Sequence, residues 1–303
     1  MSTQLQNRSA PAGALNRAAN EDVALSESVM TAGTLIEPGK QYGFFTDTTL
    51  CIGCKACEVA CKEWNVLPSS TAGLSGQSYD NTRELSAHTW RHVKFVENFG
   101  ADATRPTEMP PFQSHWLMMS DVCKHCSNAP CLEACPTGAI FRTEFDSVVV
   151  QQDICNGCGY CVPACPFGVI ELEKSDGKAH KCTLCYDRLK GGLEPACAKS
   201  CPTDSIQFGE LSDLDTRARD RVDQLHGLGV DNAYLYGVPD SPGATGDLGR
   251  LNAFFLLTER PEIYNLPPAP TRASNRVRPA LTTALATSAA LTVAAALVLL
   301  AFM

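Results

Sequence analysis

Sixteen cysteines, arranged as four groups of four with none left over, constrain this chain more than any other feature. The groups are Cys51-x2-Cys54-x2-Cys57-x3-Cys61, Cys123-x2-Cys126-x4-Cys131-x3-Cys135, Cys155-x2-Cys158-x2-Cys161-x3-Cys165 and Cys182-x2-Cys185-x11-Cys197-x3-Cys201. Three of them close on Cys-Pro, at Cys135-Pro136, Cys165-Pro166 and Cys201-Pro202. Cysteines at two-residue intervals make poor disulfide frameworks and good metal sites. This many paired sulfurs would also be unusual in a reducing compartment. The fold must therefore wrap loops of sulfur ligands around bound metal.

Thiolates are soft donors that suit zinc or iron–sulfur clusters. Zinc takes four ligands in a tetrahedron, usually from two C-x2-C knuckles. The third cysteine of each C-x2-C-x2-C run, and the C-x3-C-P that follows, have no place in that scheme. They match the bacterial ferredoxin run, in which three close thiolates hold one [4Fe–4S] cube and the fourth reaches to a neighbouring cube. Four runs imply four [4Fe–4S] clusters, which form a conductor for single electrons. A zinc-binding structural scaffold is the remote alternative.

A repeat follows three of the groups: CPTGAI (Cys135–Ile140), CPFGVI (Cys165–Ile170) and CPTDSI (Cys201–Ile206). Each reads as a proline-turned exit from a cluster loop into a short strand. Residues 139–152 read as two strands around a turn near Asp146. Asp176-Gly177 reads as a second hairpin turn. The second and third groups thus enclose a compact two-cluster unit, about residues 115–180. The first group breaks the repeat, because Lys62-Glu63-Trp64 follows Cys61. A long insertion then precedes Cys123, with a strand expected at Trp90–Glu97 and a second apolar stretch at His115–Ser120. This suits a nested layout, in which the first and fourth groups close an outer unit around the inner one. The crossing rule then puts Cys123, Cys126 and Cys131 on one cluster with Cys165, and Cys155, Cys158 and Cys161 on another with Cys135. In the outer pair, Cys51, Cys54 and Cys57 join Cys201, and Cys182, Cys185 and Cys197 join Cys61.

The expected fold is α+β: two double-cluster ferredoxin-like units, the inner nested in the outer, then a C-terminal arm and a single transmembrane helix. The expected divisions are a mobile tail over residues 1–40, the cluster region over 41–210, a helix and docking arm over 211–278, and the membrane helix over 279–303. The tail, rich in Ser, Ala, Asn and Gly, has little to bury. It shows neither a secretory apolar region nor an Arg-Arg pair, so export would rest on an address carried by a partner. Ser212 is expected to cap a helix running to about His226, with Leu214, Ala218, Val222 and Leu225 on one face. Residues 227–278 are rich in Gly and Pro apart from LNAFFLLT (Leu251–Thr258), and read as an arm leading to the last helix.

Pro279–Met303 carries no charge. As a helix it would span about 37 Å, enough for a hydrocarbon core of about 30 Å. Ala286, Ala290 and Ala294 share one face, which allows close approach of another membrane helix. An apolar tail packed on a partner is the alternative. The net charge of −8, with no Lys/Arg-rich run, argues against a nucleic-acid partner.

Other residues carry less. His125 reads as a loop side chain, with an outer-shell hydrogen bond to a cluster as the functional alternative. Lys124 and Lys181 read as solvated charges, or as cations that raise a cluster potential. Trp64 and Trp90 are expected in the core. No Ser-His-Asp set, Walker loop or dinucleotide fingerprint appears, so no catalytic site is expected in the chain itself.

CIGCKACEVACKEWN (Cys51–Asn65), CNGCGYCVPACPFG (Cys155–Gly168) and KCTLCYDRLKGGLEPACAKSCPT (Lys181–Thr203) resemble the cluster motifs of formate dehydrogenase beta subunits. These belong to the iron–sulfur subunits of molybdenum- or tungsten-dependent oxidoreductases. LNAFFLLTERPEIYNLPPAP (Leu251–Pro270) is similar to that family's C-terminal arm, and a terminal membrane helix fits it too. The resemblance implies a molybdopterin-containing catalytic (alpha) subunit that oxidises formate. It implies electron passage through four clusters of this chain to a cytochrome b-type membrane (gamma) subunit and quinone. An equivalent subunit of a nickel–iron hydrogenase or of another molybdopterin reductase is the near alternative. The nested pairing agrees with the family's ligation. Nitrate-reductase-type relatives replace one cluster cysteine; here all sixteen are present, so no [3Fe–4S] centre is expected. Arg272, Arg276 and Arg278 precede the helix and would put the cluster region in the cytoplasm, whereas the resemblance also allows the outer side of the cell membrane.

Overall fold

The computed structural model describes residues 36–69, 76, 80–97, 116–272 and 274–302. Most of the expected N-terminal tail, His115 and much of the long insertion lie outside the described residues. In chain order the first elements are β1 (Tyr42–Asp47), α1 (Ala56–Trp64), β2 (Arg91–Glu97), β3 (Trp116–Val122), α2 (Pro130–Glu133), β4 (Ile140–Arg142) and β5 (Val148–Val150). There follow α3 (Cys161–Ala164), β6 (Glu171–Leu172), β7 (Ala179–His180), α4 (Tyr186–Lys190), α5 (Ala196–Lys199), β8 (Ile206–Glu210), α6 (Leu211–Gly227), β9 (Tyr234–Tyr236), β10 (Ala253–Leu257) and α7 (Ser274–Phe302).

β1 is buried along its whole length, as a strand covered on both faces must be. It lies between β8, antiparallel, and β10, parallel, and β9 closes the sheet in the order β8-β1-β10-β9. The two faces alternate along each strand. Phe45, Phe254, Leu256 and Leu235 pack against Leu211, Leu214, Ala218 and Leu225 of α6. On the other face, Tyr42, Phe44 and Ala253 pack with Cys57, Cys123, Cys182 and Cys197. Phe255 and Leu257 join a neighbouring core that contains Cys126, Cys131 and Cys161. Each fully buried phenylalanine contributes roughly 1.5–3 kcal/mol. The sheet is thus a platform, backed by one helix and carrying the cysteine loops.

The expected hairpins form. β4 and β5 pair around Asp146, whose φ is 63°, and β6 and β7 pair around a turn with Gly177 at φ 69°. β2 and β3 pair along seven residues, from Arg91 opposite Val122 to Glu97 opposite Trp116.

Some expectations need correction. Residues 253–257 are not part of an arm: they form the strand beside β1, Phe44 opposite Ala253. An all-apolar strand of this kind needs cover on both faces, which the platform supplies. Ser212 does not cap α6. The helix starts at Leu211 directly from β8, extended Glu210 holds the cap position, and Ser212 Oγ donates to Glu210 Oε1 at 3.3 Å. Trp64 is 41% exposed, outside the core; its Nε1 donates to Asp187 at 2.7 Å and its ring lies under Arg188. Trp90 is half-buried at the edge of the core and donates to the Ala87 carbonyl.

The last helix begins at Ser274, before Pro279, after Arg272 has paired with Glu133 at 2.6 Å. Among the described residues no helix is long and apolar enough to cross a membrane. The side chains of Arg276, Arg278, Ala296 and Leu299 lie outside the described residues.

Candidate iron–sulfur sites

Each cysteine loop turns through a left-handed residue at the same place. The residue before the second cysteine of each group has positive φ: Gly53 at 65°, His125 at 45°, Gly157 at 72° and Leu184 at 59°. That conformation folds the loop tightly enough for its thiols to converge, at a cost to any residue bearing a Cβ. Only Gly fits at 157, because a Cβ there would sit 2.2 Å from the Gly177 carbonyl oxygen. Gly157→Ala is expected to cost about 1–2 kcal/mol for backbone handedness alone, with the clash in addition. Its purified form should lack the iron of one cluster, measured as iron per chain; full iron content would show that the loop has room to yield.

The structure gathers the sixteen thiols into four places. Site I is a cavity whose lining includes Cys51, Cys54, Cys57 and Cys201. At site II, Cys61 from α1 lies among Cys182, Cys185 and Cys197, close enough for each to act on its ionisation. Site III is a cavity whose lining includes Cys123, Cys126, Cys131 and Cys165. Site IV is a cavity whose lining includes Cys135, Cys155, Cys158 and Cys161. All sixteen are free thiols.

Electrostatic contacts between thiols order the sites. Cys57 of site I feels Cys197 of site II, Cys182 of site II feels Cys123 of site III, and Cys131 of site III feels Cys161 of site IV. The sequence in space is I–II–III–IV. Exposed cysteines occur only at the two ends, Cys54 in site I and Cys158 in site IV.

The surroundings suit a bulky, cation-rich group. Burial pushes the Cys57, Cys131 and Cys182 thiols up to about 12 and Cys161 to about 11. Such thiols stay protonated near neutrality unless metal charge displaces the proton. One zinc would draw four sulfurs to about 2.3 Å from a common centre. Here the thiols ring cavities.

Hydrogen-bond donors supply the rest of the lining. Leu184 N–H donates to Cys182 Sγ at 3.3 Å, and Asn65 Nδ2 to Cys61 Sγ at 3.7 Å. At Cys135 burial raises the thiol pKa, yet Thr137 and the N–H groups of Ile140, Thr137 and Ala139 bring it below its ordinary value. This is the work of the turn after Cys-Pro. His125 is buried and lines site III. Burial first, then Lys181, Arg142 and Arg91, hold its pKa well below the ordinary value, so the ring is neutral. Its Nδ1 accepts from Val148 N–H at 3.0 Å, which puts the proton on Nε2. That Nε2–H has no partner among the described residues. A sulfur-rich group in the cavity would give it one, which fits a cluster rather than an empty core.

Comparison with known proteins decides the family. Two models, each described as a 4Fe-4S dicluster domain, match residues 50–139 and 114–211. The formate dehydrogenase-O iron-sulfur subunit of Escherichia coli (strain K12) is 42% identical over 224 residues, 72% of this chain and 71% of that protein. The formate dehydrogenase iron-sulfur subunit of Haemophilus influenzae is 39% identical over 222 residues, 72% of this chain and 66% of that protein. The chain belongs to the formate dehydrogenase iron–sulfur subunits. A subunit of the anaerobic dimethyl sulfoxide reductase of Escherichia coli (strain K12) is also related, at 35% identity over 174 residues, 57% of this chain and 76% of that protein.

As a member of this iron–sulfur family the chain is an electron-transfer subunit, and several buried residues beside the sites escape a reading of motifs. Lys124 and Lys181 are not solvated: both are buried, at 1% and 2% exposure. The β2–β3 hairpin of the long insertion supplies Arg91, Ser120 and Asp121, all buried. Ser120 Oγ meets Cys57 Sγ at 3.2 Å, and Val93 lines site I. Arg91 shares the apolar phase of β2 with Val93 and Phe95, and a cation in that phase is the signal that would have marked it.

Proposed function

We propose that this chain carries four [4Fe–4S] clusters and passes electrons from a molybdopterin-containing, formate-oxidising catalytic subunit towards a cytochrome b-type membrane subunit and quinone. The observation that carries the reading is the row of four four-thiol sites with an exposed cysteine at each end only. Cys51, Cys54, Cys57 and Cys201 would hold one cluster, and Cys61, Cys182, Cys185 and Cys197 the next. Cys123, Cys126, Cys131 and Cys165 would hold the third, and Cys135, Cys155, Cys158 and Cys161 the fourth. When bound, the clusters supply reversible one-electron chemistry. The chain contributes the thiolates, the N–H donors to sulfur, and an apolar packing that keeps water from the interior sites. The open rims at Cys54 and Cys158 give the partners close approach.

Attachment to the cell membrane through α7 as a single-pass anchor is part of the same proposal. It is supported by the uncharged stretch Pro279–Met303 and by the exposure of Leu285, Leu291 and Leu297. The kinship with a dimethyl sulfoxide reductase subunit favours one second reading, the equivalent subunit of another molybdopterin enzyme.

Anaerobic purification of the complex, with iron and acid-labile sulfide assays, tests the reading. Roughly sixteen of each per chain is expected, four irons and four sulfides for each cluster. Zinc without sulfide would refute it. Identification of the subunits that copurify, with formate as the reductant, separates the two partner readings.

A further inference from the structure

Two buried cations occupy the gaps between neighbouring sites. Lys181 lies between sites II and III. It precedes Cys182 in the chain, and its Nζ donates to Cys182 O at 2.9 Å, to Cys123 Sγ at 3.6 Å and to the Val148 carbonyl. Arg91 lies between sites I and II. It is 1% exposed, it sits over the Phe44 ring, and its Nη1 donates at 3.2 Å to the Ser120 hydroxyl that meets Cys57. Thiols of both sites act on it, Cys197 and Cys57 foremost, then Cys182 and Cys61. Its Nε and Nη2 have no hydrogen-bond partner among the described residues.

Their pairing differs from that of the other buried cation beside the sites. Lys124 is neutralised by Asp121. Among the described residues no carboxylate pairs with Arg91 or Lys181; their bonds go to carbonyls, a hydroxyl and a thiol. A buried unpaired cation is costly unless an anion faces it. Thiolate-ligated groups on either side would supply the facing negative charge.

We propose that Arg91 and Lys181 are shared counter-cations, Arg91 raising the reduction potentials of the clusters at sites I and II together and Lys181 those at sites II and III. Adding an electron makes a thiolate-bound cluster more negative, and a fixed positive charge in a low-dielectric interior favours that form. Net charge and hydrogen bonds to sulfur are among the quantities that set such potentials. Site II borders both cations and is raised most. The inference rests on the reading that the sites hold clusters, and iron content per chain tests that reading first, in the unaltered complex.

The experiment is a potentiometric titration of the anaerobically purified complex, followed by electron paramagnetic resonance, for Lys181→Met, Lys181→Gln and Lys181→Arg. The two neutral variants should lower two of the four midpoints. The expected change is at least about tenfold in the reduction equilibrium, ~59 mV for one electron. The other two midpoints should stay in place, and Lys181→Arg should keep all four. Loss of iron in both neutral variants with full iron in Lys181→Arg would support the same role, since charge would then be needed for assembly. If the neutral variants load fully and fewer than two midpoints fall, the shared role is wrong. It is equally wrong if none of the three variants loads, because the site would then be steric.

Discussion

Cys57→Ala should abolish electron delivery to quinone in the assembled complex while leaving formate-dependent reduction of an artificial dye at the catalytic subunit. Cys57 is buried, lines site I, and is the thiol of that site within electrostatic reach of Cys197 in site II. Loss of its ligand removes a member of a row that has no parallel branch: the site order is I–II–III–IV, and only its ends are exposed. Iron should fall to roughly twelve per chain, one four-iron cluster fewer, and quinone reduction should fall to background. Removal of the thiol leaves a small apolar side chain beside Ser120, so the platform sheet should still form. The measurement is paired: dye reduction and quinone reduction by formate on the same preparation. Undiminished quinone reduction with the cluster missing would show that electrons do not pass through site I.

How much of this was legible beforehand follows the range of the signals. The cysteine sets were readable because thiol spacing is a local pattern with few chemical interpretations, and the hairpins at Asp146 and Gly177 because turn residues act on their immediate neighbours. The α6 face was readable from its period, with Leu214, Ala218 and Leu225 all buried. The platform was not. Phe44 pairs with Ala253, and β10 is parallel to β1, so nothing close in the chain announces the partner. An apolar run bounded by Gly and Pro therefore reads as an arm. The buried polar lining was equally hidden, for a different reason. Lys124, Lys181, Arg91 and Asp121 are ordinary surface residue types, and only the tertiary packing of a hairpin from the insertion against the cysteine loops takes them out of water. The left-handed His125 and Leu184 show the same limit: at two loops Gly advertises the turn, while at the other two the packed loop imposes it.

Asp121→Asn should destabilise the loaded subunit by about 3–5 kcal/mol, the usual cost of stripping one partner from a buried ion pair. Asp121 Oδ2 accepts from Lys94 Nζ at 2.9 Å, and Oδ1 accepts from Lys124 Nζ and from Val122 N–H. Lys124 has no exposed side-chain surface and lies between the Phe167 and Phe255 rings, so no solvent replaces the lost carboxylate. Its carbonyl also anchors β10 through Ala253 N–H, which ties the damage to the platform and to site III. Burial alone would raise the Asp121 pKa; Lys124 and then Lys94 outweigh it and hold the carboxyl well below the usual carboxylate range. A depressed folded-state value stabilises the fold above the unfolded value of about 3.9, and that stability is lost only as pH falls through the lower folded value. The deficit of the variant should therefore be constant from about pH 8 to pH 5 and shrink only below about pH 4. Denaturant midpoints, followed by bleaching of the iron–sulfur absorbance at several pH values, measure it. A deficit under about 1 kcal/mol, the scale of an exposed pair, or one that varies between pH 8 and 6, would mean that Asp121 is not the buried anion that neutralises Lys124.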